Sequence, residues 1–193
     1  MLRSISDMKG YNVLADGEKV GHVDTLLFDD RNWRVRYIVV DTGSFIFDKK
    51  VLISQQAISN IDGKEISMSL TKDQIRNSPD IDSDKPVSRQ HETDLHLYYE
   101  WPYYWNAESS FVLAPIPSFP ARSYNEDVKP EDDGDPHLRS TSEILGYKVY
   151  ASDGKIGHVD DFIMNSQQWW ISYAVIDTKN FLHGKKVLIG IHW

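Results

Sequence analysis

The chain has 193 residues, 40% of them apolar and 12% aromatic, with a formal net charge of −8 and no cysteine. Disulfides, thiolate metal sites and cysteine nucleophiles are thereby excluded, and a reducing, cytoplasmic setting is expected. The N-terminus has no apolar run of signal-peptide length, and no stretch approaches the roughly 18 apolar residues of a membrane span. The charge is uneven: residues 1–70 carry nine Lys/Arg against ten Asp/Glu, residues 138–193 six against five, and residues 71–137 six against fourteen. The acidity therefore lies in the middle of the chain, and no concentrated basic face for nucleic acid or anionic membrane is expected.

In chain order, residues 4–9 read as a capped turn ending at Gly10, followed by a short strand at 11–14 and the turn Asp16-Gly17. Strands are expected at 20–28, 34–40 and 51–54, the second passing from alternation to a fully apolar run. Residues 41–48 form a loop, with Phe45 folded back onto the core. A hairpin follows at 58–61 and 65–70 around Asp62-Gly63. Six short strands with tight turns point to a small closed or partly open β-barrel. Thr71 caps a short helix at 72–77, which Ser78-Pro79 stops. Residues 80–94 read as polar and irregular. Residues 98–105 hold six aromatics (Tyr98, Tyr99, Trp101, Tyr103, Tyr104, Trp105), and residues 106–137 hold five of the eight prolines and the EDDGD run of an extended or mobile linker.

At residue 138 the chain starts again. Residues 2–53 and 138–189 align at a constant offset of 136 with 24 identities in 52 positions. Two copies of one β module follow from this, divided as 1–77 for the first, 78–137 for an aromatic and acidic connector, and 138–193 for the second. Each module is near the lower size limit for a self-supporting core. The second has no counterpart of the 58–70 hairpin, so an unpaired edge is expected there. Pairing of two such edges would give a homodimer.

The motif Asp16-Gly17, Gly21, Val23, Asp24, Asp29, Trp33, Tyr37, Val39 to Thr42 and Lys49 to Ile53 resembles the PRC-barrel family. The second copy matches at Asp153-Gly154, Gly157, Val159, Asp160, Trp169, Tyr173, Val175 to Thr178 and Lys185 to Ile189. The tract LTKDQIRNSPDID…PVSRQHE…YYEWPYYW is similar to bacterial two-repeat members. The resemblance implies a mainly all-β fold: two small antiparallel PRC-type β-barrels with short helical segments, the second incomplete at its C-terminal end. It also implies a module used in reaction-centre assembly and electron transfer and in RNA metabolism, with no catalytic residue set attached.

Four features are candidate sites. The repeated Gly-His-Val-Asp places His22 with Asp24, and His158 with Asp160, two apart on a strand and so on one face, as a metal or proton-handling pair would need. One His and one Asp fall short of a usual ligand set, so a structural role is favoured and no metal or cofactor is expected. Asp41-Thr42 and Asp177-Thr178 are read as strand-end caps rather than paired carboxylates. The Ser88 to Glu92 stretch lacks the context of a catalytic triad, and no G-x-S-x-G elbow occurs. Tyr98, Tyr99, Trp101, Tyr103, Tyr104 and Trp105 either pack within the chain or form a protein-interaction surface. The functional expectation is a non-enzymatic scaffold or adaptor that binds another protein or itself. The alternative is an accessory of photosynthetic or respiratory electron transfer, resembling the reaction-centre H subunit.

Overall fold

The structure is a computed structural model that describes residues 1–43, 48–79, 81, 87–107, 137–152, 154–178 and 185–191. The expected placement of Phe45, and nearly all of the 106–137 linker, lie outside these residues.

The chain opens with β1 (Leu2–Ser4) and the single-turn α1 (Ile5–Met8), whose first turn is capped by Ser4 Oγ accepting from Asp7 N at 3.0 Å. Next come β2 (Asn12–Ala15), β3 (Glu18–Asp29), β4 (Arg34–Asp41) and β5 (Lys50–Ser54), each antiparallel to its neighbour. Asp16 and Gly17 both take positive φ, which is what a two-residue hairpin turn requires. After a 3-10 turn at Gln55–Ala57, β6 (Ile58–Asp62) and β7 (Glu65–Met68) form the expected hairpin. β7 returns to pair with β2 in parallel, an exception to the all-antiparallel expectation. α2 (Lys72–Asn77) carries a full capping box between Thr71 and Gln74.

Residues 89–94, expected to be irregular, belong instead to α3 (Arg89–Tyr99), which starts at the Ser88 cap and ends at Glu100 in the left-handed region. Its buried positions are Glu92, Leu95, His96 and Tyr99, the i, i+3, i+4, i+7 stripe of an amphipathic helix. Glu and His occupy two of the four positions, so hydropathy does not reveal the period. A short turn of helix, α4 (Tyr104–Ala107), follows.

The second module repeats the order: β8 (Leu138–Ser140), α5 (Thr141–Ile144), β9 (Lys148–Ala151), β10 (Gly154–Asn165), β11 (Trp170–Asp177) and β12 (Lys186–Gly190). All twelve described strands belong to one sheet. The modules join by exchanging their first strands. β1 pairs with β10, at Leu2↔Asn165, Arg3↔Met164 and Ser4↔Ile163. β8 pairs with β3 at the equivalent positions Leu138↔Asp29, Arg139↔Phe28 and Ser140↔Leu27. β4 and β11 meet between them at Arg34↔Trp170. The exchange closes an approximate two-fold within one chain, and it places Phe28, Trp33 and Phe162 in one aromatic cluster with ring centroids 5.2–6.1 Å apart. The core therefore runs through the junction, which is how two modules of marginal size bury enough apolar surface together.

Among the described residues β9 pairs only with β10, whereas its counterpart β2 lies between β3 and β7.

Candidate functional site

Two regions carry the candidate residues. The first is the Gly-His-Val-Asp repeat. A Cβ on Gly21 would run into the Asp41 carbonyl, and one on Gly157 into that of Asp177, so each glycine is fixed by the close passage of the neighbouring strand. His22 lies opposite Asp41 and His158 opposite Asp177. Asp24 and Asp160 each sit where the ladder slips by one residue, a bulge that redirects their side chains. Asp24 meets Lys50 Nζ at 2.8 Å and Asp160 meets Lys186 Nζ at 2.7 Å. The Asp160 carboxylate raises the Lys186 pKa, first through their hydrogen bond and then through their charges.

Ligand atoms of His158, Asp160 and Asp177 lie within 4.8 Å of one another, so the structure adds Asp177 to the pair named from sequence. Within this grouping the Asp160 carboxylate already carries the Lys186 ammonium. The strand-end roles of the Asp-Thr pairs are visible too. Thr42 Oγ1 donates to Lys49 O at 2.8 Å, Gly43 N donates to Asp41 Oδ1 at 2.8 Å, and Thr178 Oγ1 donates to Lys185 O.

The second region is α3 and the aromatic turn after it. His96 is the hub, with the rings of Tyr37, Trp101, Tyr103, Tyr104 and Trp105 at centroid distances of 5.0–6.1 Å. His96 Nδ1 lies 3.0 Å from Pro102 O, an acceptor, so this nitrogen carries the proton. Nε2 is then an acceptor 2.8 Å from Tyr37 Oη, and it shares the single Tyr37 hydroxyl proton with Glu92. The fully buried Glu92 accepts from Tyr37 Oη at 2.8 Å and from Tyr104 Oη at 2.7 Å, and its other oxygen lies 2.8 Å from Arg89 Nη1. Burial pushes the Tyr37 and Tyr104 pKa values far up, and the Glu92 charge adds to this. Burial also lowers that of His96 and lifts that of Tyr99 to about 12.

Arg36, itself buried, stacks 3.9 Å over the Tyr104 ring and pairs with Asp29 at 3.2 Å. Burial raises the Asp29 pKa, but hydrogen bonds from Arg31 and Arg36 outweigh it and hold the carboxyl below its usual value.

Of the six aromatics named from sequence, Tyr99 is buried and packs on Trp101 at 4.3 Å. Trp101, Tyr103, Tyr104 and Trp105 are half-buried around His96, and Tyr98 is the most exposed, donating to Gln74 O at 2.8 Å. The tract serves mainly to seat α3 on the first module. Sequence reasoning missed Glu92 and His96 as its centre, and the available signal was Ser88, a residue type that caps helices.

Among the described residues no such cover lies on the second module. Trp170, Tyr173, Leu188 and Ile189 are exposed there, together with Leu145, Tyr147 and Tyr150. None of these seven was singled out from sequence as an interaction residue. Their exposure is legible only once the cover on the first module is seen. No described helix is long and apolar enough to cross a membrane.

A family model described as PRC-barrel domain matches residues 2–75 and 136–193. No curated protein matches the chain.

Proposed function

Because the chain belongs to the PRC-barrel domain family, we propose that it is a non-enzymatic interaction protein, a scaffold or adaptor that engages another protein through its second module. The observation that carries this reading is the asymmetry of exposed apolar side chains. Seven of the eleven exposed large apolar residues among those described belong to residues 138–191, a module just over a quarter of the chain. Scattered apolar residues on a surface need no explanation, but a concentration of Tyr and Trp among exposed apolar residues on one module is the composition of a binding surface. The polar constellations support the same reading, since each serves the fold: Asp24 and Asp160 hold lysines, and Glu92 and His96 hold a helix in place.

The test is co-precipitation from native cell extract with the full chain and with its Leu188→Asp variant. A specific protein recovered by the first and lost by the second, at equal thermal stability, is the expected result. Equal recovery by both would remove the second module's face from the reading.

A further inference from the structure

Resting on that reading, we infer that the face of the second module carrying Tyr173, Val175 and Leu188 is a docking site for an amphipathic helix of a partner protein, one bearing a carboxylate opposite Tyr173 in the way Glu92 faces Tyr37.

One sequence element occurs in this chain in two states of cover. Tyr37, Val39 and Leu52 recur as Tyr173, Val175 and Leu188 at the same offset of 136. The strand registers coincide as well. Tyr37 lies opposite Ser54 and Val39 opposite Leu52, while Tyr173 lies opposite Gly190 and Val175 opposite Leu188. Residues two apart on a strand, and residues directly opposite across a ladder, share a face. Tyr, Val and Leu therefore form one surface in each module.

Their exposures differ sharply. Tyr37 and Leu52 are 1% and 0% exposed, against 37% for Tyr173 and 60% for Leu188. The first module carries α3, anchored at Tyr37 Oη by Glu92 and His96. The second carries no such helix among its described residues. Tyr173 Oη is a donor in the same position, with no hydrogen-bond partner among the described residues.

Two departures refine the partner's chemistry. Arg36 and Asp29, the buried ion pair under the Tyr104 ring, become Ser172 and Asn165. The second face thus lacks the cation on which an aromatic turn would stack, and only the helix half of the first module's arrangement is reproduced. Ser54 becomes Gly190, which leaves the surface opposite Tyr173 without a side chain. A helix presenting Glu at one position and Leu three residues on, as Glu92 and Leu95 do, matches a surface that offers one hydroxyl donor and an exposed leucine.

The experiment uses the full chain and, as probe, a labelled synthetic peptide of residues 87–107, which retains the Ser88 cap. The expected result is saturable one-to-one binding, weakened at least tenfold by Leu188→Asp in the chain. Tyr173→Phe in the chain and Glu92→Gln in the peptide should each weaken it several-fold, and the two together no more than either alone. Because Tyr173 and Leu188 are exposed, an unchanged melting profile confirms that both variants fold. Binding insensitive to Leu188→Asp, or no saturable binding, overturns the inference. A concentration-dependent dimer of the chain abolished by Leu188→Asp also overturns it, by assigning the face to a second copy. If an extract protein is captured through Leu188 while the peptide fails, the interaction reading stands and only the helix chemistry falls. If both fail, both fall.

Discussion

Trp33 and Trp169, 136 residues apart, each offer a backbone carbonyl to the other's module: Trp33 O accepts from Ile171 N at 2.9 Å and Trp169 O from Val35 N at 2.8 Å. Both take positive φ, 59° and 58°, so the same strained turn recurs on either side of the approximate two-fold. These paired turns, with the exchange of β1 and β8, make one folding unit out of two sequence repeats.

The exchange has a point of attachment that mutation can test. Asp161 accepts from Ser4 Oγ at 2.5 Å and from Ser6 N at 2.9 Å, holding α1 against the second module. Asp161→Ala should cost about 1–3 kcal/mol, the loss expected when donors to a charged acceptor are stranded. Ser4→Ala should cost less, and the double variant less than the sum, because the residues share one interaction. Urea unfolding of the four proteins measures this, and strict additivity would mean that the contact does not form.

Gly21 and Gly157 should both resist enlargement. An alanine at either meets the carbonyl of the adjacent strand, and strain of roughly 1–3 kcal/mol is expected. Gly10, where an added Cβ has no neighbour within 4 Å but φ is +82°, should lose less as Gly10→Asn, since Asn tolerates the left-handed region. Thermal melts of the three variants check the order.

Removing a single hydroxyl should separate the two copies. Tyr37→Phe leaves both Glu92 and His96 short of a partner in a buried setting, at a cost of about 1–3 kcal/mol. Tyr173→Phe should change the stability of the isolated chain by less than about 0.5 kcal/mol, as exposed substitutions do. Equal effects would contradict the burial difference between the modules.

The seating of α3 should depend on pH through His96. Burial lowers its folded pKa below the ordinary 6.5. As pH falls below 6.5 the unfolded chain takes up a proton that the folded chain does not, so stability declines until the folded pKa is reached. Asp29 acts in the same direction at lower pH: its folded pKa lies under 3.8, and its contribution is lost as pH falls through that value. Urea midpoints from pH 7.5 to 5 should drop for the native chain and flatten for His96→Gln. Parallel curves would show that His96 titrates alike in both states.

Much of this was legible in the sequence, because it rests on local rules. The Asp16-Gly17 turn, the β3–β4–β5 meander, the β6–β7 hairpin around Asp62-Gly63 and the Thr71-capped helix follow from turn chemistry, alternation and capping. The repeat itself established two equivalent modules, and the resemblance of their shared motif gave the PRC type.

Other features needed the tertiary structure. β1 and β8 are three residues each and carry no periodic signal. They become strands only because the other module supplies an edge to pair with. α3 is hidden by Glu92 and His96, whose burial is acceptable only where Tyr37, Tyr104 and Arg89 satisfy them. The difference between Leu52 and Leu188 lies outside any local window, since the same Lys-Lys-Val-Leu-Ile is core in one module and surface in the other. Local propensity determined which elements form. Long-range burial decided which faces they cover and which one is left exposed.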